Sequence, residues 1–189
     1  MAIICWNEKY RKLTTGDSNG LIIVYMRHKG EWFEEMVNNR KLSTVRDMRW
    51  SPDGTKIGII YEDGHVIVGG VDGSRKWGRD FKHRLALLEW SPDSQLVLFG
   101  TLDGEVFVYD ENGELLSQMR MVGLQKIVEP AEFMTPHTPL ASIEWYSQSK
   151  MYTDDAPVGL CIAYKCGRII LLKNDKDDDP IAVDTSMHL

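Results

Sequence analysis

Four tryptophans set the register of this chain. Trp6, Trp50, Trp90 and Trp145 stand 44, 40 and 55 residues apart, and each ends a short apolar or alternating run: AIICW, VRDMRW, LALLEW and ASIEW. A polar turn follows each one (NEKY, SPDG, SPDS, YSQS), and then a second run (KLTTG, KIGIIYE, LVLFGTL, GLCIAY). A tight turn ends in glycine at Gly20, Gly64, Gly104 and Gly167, and a third run comes after it (LIIVYM, HVIVGG, EVFVYD, RIILLK). Each unit closes on a polar loop and a weaker run: EWFEEMV, SRKWGRDF, ELLSQMRM and PIAVDT. One such unit cannot bury its apolar face alone, so like units must stack to supply a core.

Short β-branched and aromatic runs at a period of about 40 to 45 residues predict an all-β fold of WD40-type β-propeller blades. Asp-Gly is expected to close a hairpin with both residues at positive φ, and Ser-Pro-Asp-Gly to form the preceding turn. EWFEEMVNNRK has the composition of a single helical turn, but its place in the repeat predicts a strand. The four blades fall at about 2–40, 44–82, 84–122 and 140–185. Four is fewer than the seven common for this repeat, and neither end carries a polar cap. The expectation is an incomplete segment of a seven-bladed propeller with two open apolar faces, which closure on itself or pairing of two copies would cover.

The repeats are degenerate. Where a Trp-Asp pair is usual, the chain has Tyr25-Met26, Gly69-Gly70, Tyr109-Asp110 and Leu172-Lys173. No Gly-His pair opens a unit; His83 and His137 lie one or two residues off that place, while Asp63 and Asp103 stand where the aspartate partner belongs. The fourth unit carries a longer insertion, YSQSKMYTDDAP.

Bulk properties narrow the function classes. The chain has 189 residues, 43% hydrophobic and 26% charged, enough for one ordinary domain. A net charge of −6 argues against DNA, RNA or an anionic membrane surface as the partner. Cys5, Cys161 and Cys166 are too few and scattered for a disulfide framework, which favours a reducing, intracellular compartment. No basic-then-apolar leader opens the chain and no run approaches membrane-spanning length, so the sequence reads as soluble.

Catalytic chemistry finds no motif: there is no nucleophile elbow, phosphate loop or zinc-binding helix. No cofactor is expected. Asp47 and Glu89, on the first strands, are scattered carboxylates and offer an enzymatic or sugar-binding propeller little. Cys161 and Cys166 lack a second pair for metal, and DKDDD (Asp175 to Asp179) lacks the spacing and glycine of a calcium loop. The main basic island is Arg75, Lys76, Arg79, Lys82 and Arg84, with Trp77 inside it and Trp32 on the preceding blade. It reads either as a docking patch for an acidic segment or phosphoinositide headgroup, or as an ordinary charged outer strand. Trp32 and Trp77 serve either as partner anchors or as packing between blades. Tryptophans 6, 50, 90 and 145 are expected in the core, and Gly69 and Gly70 mark a close backbone approach.

The wording of the repeats adds a resemblance. WNE-Y-KLTT, NGLIIV, EEM-NNR and YEDG-VIVG-VDG, dense over residues 3–118 and in register through CIAYKCGRIILLKNDKDDDPIAVDTSM, are similar to the N-terminal propellers of WD-repeat subunits of intraflagellar transport complex A. Tubby-like WD-repeat proteins share part of the signature, and coat-like or ubiquitin-ligase adaptors are a broader alternative. The resemblance implies a non-enzymatic scaffold whose partners are other complex A subunits and ciliary membrane cargo. It places the protein in the cytoplasm, the cilium and the ciliary base, acting in dynein-driven return transport and in admission of membrane proteins to the cilium. Members of this family carry a second propeller and a helical-repeat tail.

Overall fold

The computed structural model describes residues 3–41, 43–119, 139–147, 158–173 and 181–184. His137, DKDDD and most of the fourth unit's insertion lie outside them. The described residues form sixteen strands in four antiparallel sheets of four. Blade 1 comprises β1 (Ile3–Asn7), β2 (Lys12–Gly16), β3 (Leu21–His28) and β4 (Glu31–Asn39). Blade 2 comprises β5 (Val45–Trp50), β6 (Lys56–Tyr61), β7 (His65–Gly70) and β8 (Arg75–Asp80). Blade 3 comprises β9 (Leu85–Trp90), β10 (Leu96–Thr101), β11 (Val106–Asp110) and β12 (Leu115–Met119). Blade 4 comprises β13 (Leu140–Ser147), β14 (Val158–Tyr164), β15 (Arg168–Leu172) and β16 (Ile181–Asp184). EWFEEMV is strand, as its place in the repeat requires.

Within each blade the strands pair in chain order, so the first strand is innermost and the fourth outermost. The innermost strands β1, β5, β9 and β13 neighbour one another in sequence and hold the stack together. Three clusters of buried side chains fill the spaces between successive blades. Met48, Ile57, Ile59 and Ile67 of blade 2 meet Ile22 of blade 1. Trp90, Val97, Phe99 and Phe107 of blade 3 meet Ile60, Val66 and Val68 of blade 2. Leu160, Ile162, Ile170 and Leu172 of blade 4 meet Leu98, Val106 and Val108 of blade 3. Central strands β6, β7, β10 and β11 are apolar on both faces because each face meets a neighbouring blade.

The tight turns differ in type from the Asp-Gly hairpin expected. Asp63 and Asp103 keep negative φ, and only Gly64 (φ +85°) and Gly104 (φ +87°) cross into the left-handed region. Gly64 N donates to Tyr61 O at 3.0 Å, so the loop is a type I turn with a glycine bulge rather than a two-residue turn. Carboxylates reinforce the turns: Asp63 Oδ1 accepts from His65 N at 3.1 Å, and Asp17 Oδ1 from Asn19 N and Leu21 N at 2.8 and 2.9 Å.

The tryptophan expectation holds in part. Trp90 is buried at 2% exposure, Trp50 and Trp145 are half-buried, and Trp6 is 45% exposed. On β1, alternation places Ile3 and Cys5 toward blade 2 and Ile4 and Trp6 on the opposite face. No blade among the described residues covers that face, so Trp6 is not core here.

Candidate interaction surface

Three places concentrate polar chemistry. The first is axial. Arg49 on β5 forms an ion pair with Glu89 on β9, and its Nε lies 3.7 Å from Asp47 Oδ2. That same Asp47 oxygen accepts from Leu88 N at 3.0 Å, and Trp90 Nε1 donates to Arg49 O at 3.1 Å. Asp47 and Glu89 are therefore not scattered, as the sequence suggested, because stacking brings β5 beside β9. Burial pushes the Glu89 carboxyl up to about 7; Arg49 opposes the shift, and Glu144 on β13 and Asp47 add to it. With a guanidinium and a backbone donor already engaged, the cluster joins blades 2 and 3.

The second place is the turn where a histidine–aspartate bond was in question. Asp63 instead receives Arg40 Nη2 at 2.7 Å, from the link between blades 1 and 2. Burial alone would raise the Asp63 carboxyl, but the hydrogen bonds from the Arg40 guanidinium and the His65 backbone N–H hold it below its ordinary value. Arginine has taken the pinning role at this position. The His83 ring lies tilted against Phe107, and its Nδ1 is 3.8 Å from Glu105. A histidine–aspartate pair exists elsewhere, between His65 Nδ1 on β7 and Asp80 on β8.

The third place is the basic island, which the structure distributes over different surfaces. Trp77 and Arg79 turn toward blade 3. Trp77 Nε1 donates to Glu111 O at 2.9 Å and its ring stacks on Tyr109, while Arg79 Nη2 donates to Gly113 O at 3.0 Å with its guanidinium over the Tyr109 ring. Arg75 turns toward blade 1, with Nη2 3.3 Å from His65 Nε2. Lys76, Lys82 and Arg84 are exposed, and the Arg84 backbone carbonyl accepts Leu102 N at 2.9 Å. Trp32 pairs with Arg27 across β3 and β4 and is 47% exposed. Only Arg75 of these seven lines the groove of about 340 Å³ between blades 1 and 2.

Among the described residues no cluster of three or more histidine, cysteine or acidic side chains could hold a metal ion. Cys5 is pushed up to about 12 by burial and is no nucleophile at neutral pH. Cys161 on β14 and Cys166 in the β14–β15 turn are free thiols. No helix among the described residues is long and apolar enough to cross a membrane.

Four-stranded antiparallel sheets, stacked through their innermost strands and joined by side-chain and backbone bonds, define a WD-repeat β-propeller blade array. The family described as WDR35/TULP4 N-terminal matches residues 1–189, and the chain belongs to it. It is 43% identical over 188 residues to WD repeat-containing protein 35 of Rattus norvegicus, covering 99% of this chain and 16% of that protein. The same protein of Homo sapiens gives 43% over 188 residues, covering 15% of its length. Tubby-related protein 4 of Mus musculus is 34% identical over 202 residues, covering 97% of this chain and 13% of its own. The chain thus spans about a sixth of the length of the WD repeat-containing relatives it matches.

Proposed function

We propose that the chain is a non-enzymatic scaffold, the N-terminal propeller portion of an intraflagellar transport complex A subunit. The observation that carries this reading is similarity sustained along the whole chain, 43% to WD repeat-containing protein 35 against 34% to tubby-related protein 4. The described chemistry supports a binding rather than a catalytic role, because the axial carboxylates are already engaged by Arg49 and by Leu88 N. In this reading the protein works in the cytoplasm, the cilium and the ciliary base. Its partners are other complex A subunits and ciliary membrane cargo, and its work is retrograde transport and admission of membrane proteins to the cilium.

The test is affinity purification of the full-length protein from ciliated cells. Co-purification of other transport subunits is the expected result. Recovery of none of them, from cells with intact cilia, would sink the proposal. The full reading frame separates the two related assignments: a second propeller followed by helical repeats supports this one, and a tubby domain redirects it.

A further inference from the structure

We infer that the groove between blades 1 and 2 is a docking site for a partner peptide that inserts one large aromatic side chain beside an acidic residue. The inference rests on the scaffold reading above, and not on its ciliary part. At the position of the usual repeat tryptophan, the other blades carry Tyr25, Tyr109 and Leu172, and blade 2 alone has no side chain.

Strand registers make the comparison exact residue by residue. Ile57 pairs Gly69 and Ile59 pairs Ile67 in blade 2, where Val97 pairs Tyr109 and Phe99 pairs Phe107 in blade 3. On the facing outer strands, Val24 pairs Met36 in blade 1 and Val68 pairs Trp77 in blade 2. Arg40 and Phe81 correspond as well, since each donates its backbone N to the preceding turn glycine, Gly20 or Gly64. The junction between blades 2 and 3 is therefore closed by Trp77, Phe81, Phe99, Phe107 and Tyr109, in mutual ring contact. Its counterpart between blades 1 and 2 has Met36, Arg40, Ile59, Ile67 and Gly69 at those places, and is an open groove of about 340 Å³.

The filled junction shows what such a space accepts: an indole, stacked on a ring and donating its N–H to a turn carbonyl. In the open groove the floor is aliphatic, from Ile22, Val24, Ile57, Ile59 and Ile67. The polar wall carries Asn38, Asn39, His65 and Ser74 beside two arginines. Arg75 lies back across Gly78, where an added Cβ would meet its Nη2 at 2.0 Å, and it has no carboxylate within ion-pair distance among the described residues. Arg40 stands on the same lining, with its guanidinium paired to Asp63. In a chain of net charge −6, an apolar floor under a guanidinium that meets His65 but no carboxylate among the described residues selects an aromatic residue with an acidic neighbour.

The experiment is fluorescence anisotropy with the full-length protein and a labelled ten-residue Gly/Ser peptide carrying one tryptophan preceded by two glutamates. Binding is expected, lost at least tenfold when the tryptophan becomes alanine or the glutamates become lysine. Gly69→Tyr refills the groove as Tyr109 does. Its added Cβ meets nothing closer than 3.5 Å, so the strand backbone accepts a side chain there, and peptide binding is expected to fall at least tenfold. Arg75→Glu, on the surface, gives a second loss of the same size should Gly69→Tyr fail to fold. No binding by wild type, equal binding of the lysine peptide, or binding unchanged in Arg75→Glu overturns the inference. Labelled laurate binding where the tryptophan peptide does not would overturn it in favour of an acyl chain. Co-purification of transport subunits that persists while peptide binding fails separates failure of this site from failure of the scaffold reading.

Discussion

Trp77 Nε1 on β8 donates to the carbonyl of Glu111 in the β11–β12 turn at 2.9 Å, tying the outermost strand of one blade to a turn of the next. The ring lies on Tyr109 with centroids 6.1 Å apart and meets the Phe99 ring nearly edge-on. A polar and an aromatic contribution thus meet in one side chain, and they can be separated.

Trp77→Phe keeps most of the ring contacts and deletes the N–H, leaving the Glu111 carbonyl near solvent; the expected loss is about 1 kcal/mol. Trp77→Ala also opens a cavity against Tyr109 and Phe99, for a loss of about 3 kcal/mol, the low end for a half-buried tryptophan. Urea unfolding of both variants checks this. Equal losses would mean that the hydrogen bond alone matters.

The axial ion pair gives a pH prediction. Glu89 binds its proton more tightly in the folded chain than its ordinary value of 4.5, because burial pushes it up to about 7. The folded state then carries the extra proton between those values, so stability falls as pH rises through about 7 and is fully present below about 4.5. Glu89→Gln removes this part of the profile. Melting temperatures at pH 5 and pH 8 should differ less in Glu89→Gln than in wild type, and an unchanged difference would assign the slope to another group.

Two glycines with nearly the same φ should respond unequally to alanine. Gly64 (φ +85°) would place a Cβ 2.7 Å from Phe81 O, on backbone that the neighbouring Phe81 N–H holds at 2.9 Å to Gly64 O. Gly30 (φ +90°) has nothing within 4 Å. Gly30→Ala should cost about 1 kcal/mol from φ alone, and Gly64→Ala several kcal/mol, since backbone must shift as well. Chemical denaturation of both variants measures the gap; a gap near zero would mean the β8–β9 link yields freely.

Strand order and blade number were legible because each blade repeats the same local chemistry: a tryptophan closing the first strand, a turn, and a glycine at the second turn. What the repeat cannot encode is relation between units. Asp47 and Glu89 are 42 residues apart in the chain and look unrelated until stacking brings β5 beside β9, with Arg49 between them. Trp77 read as packing between blades ahead of a surface anchor, and the facing Tyr109 bears that out. The repeat pattern calls for histidine as the partner of Asp63, whereas Arg40 reaches that carboxylate from the link where the histidine would stand. One signal for the groove was present: Gly69 breaks a column otherwise filled by Tyr25, Tyr109 and Leu172. Its meaning needed the strand registers.

The outer faces of blades 1 and 4 carry the last prediction. Ile4, Trp6 and Val37 lie exposed on one, and Ile181 and Val183 on the other, with Ile181 at 59% and Val37 at 57% exposure. Registers place each set on a single face: Ile23 pairs Val37 in blade 1, and Leu171 pairs Ile181 in blade 4. Each face is the equivalent of one that a neighbour covers between blades, so the two should fit each other, blade 1 of one copy on blade 4 of the next. Such contacts are heterologous and propagate or close into a ring. We therefore expect the isolated 189-residue chain to self-associate, as read by light scattering. Val37→Glu and Ile181→Glu should each be monomeric alone, since each has lost one half of the contact. Mixed, they should form a one-to-one dimer through the single intact pair of faces. If Val37→Glu alone still dimerises, like faces pair instead; if the mixture stays monomeric, the faces do not fit each other.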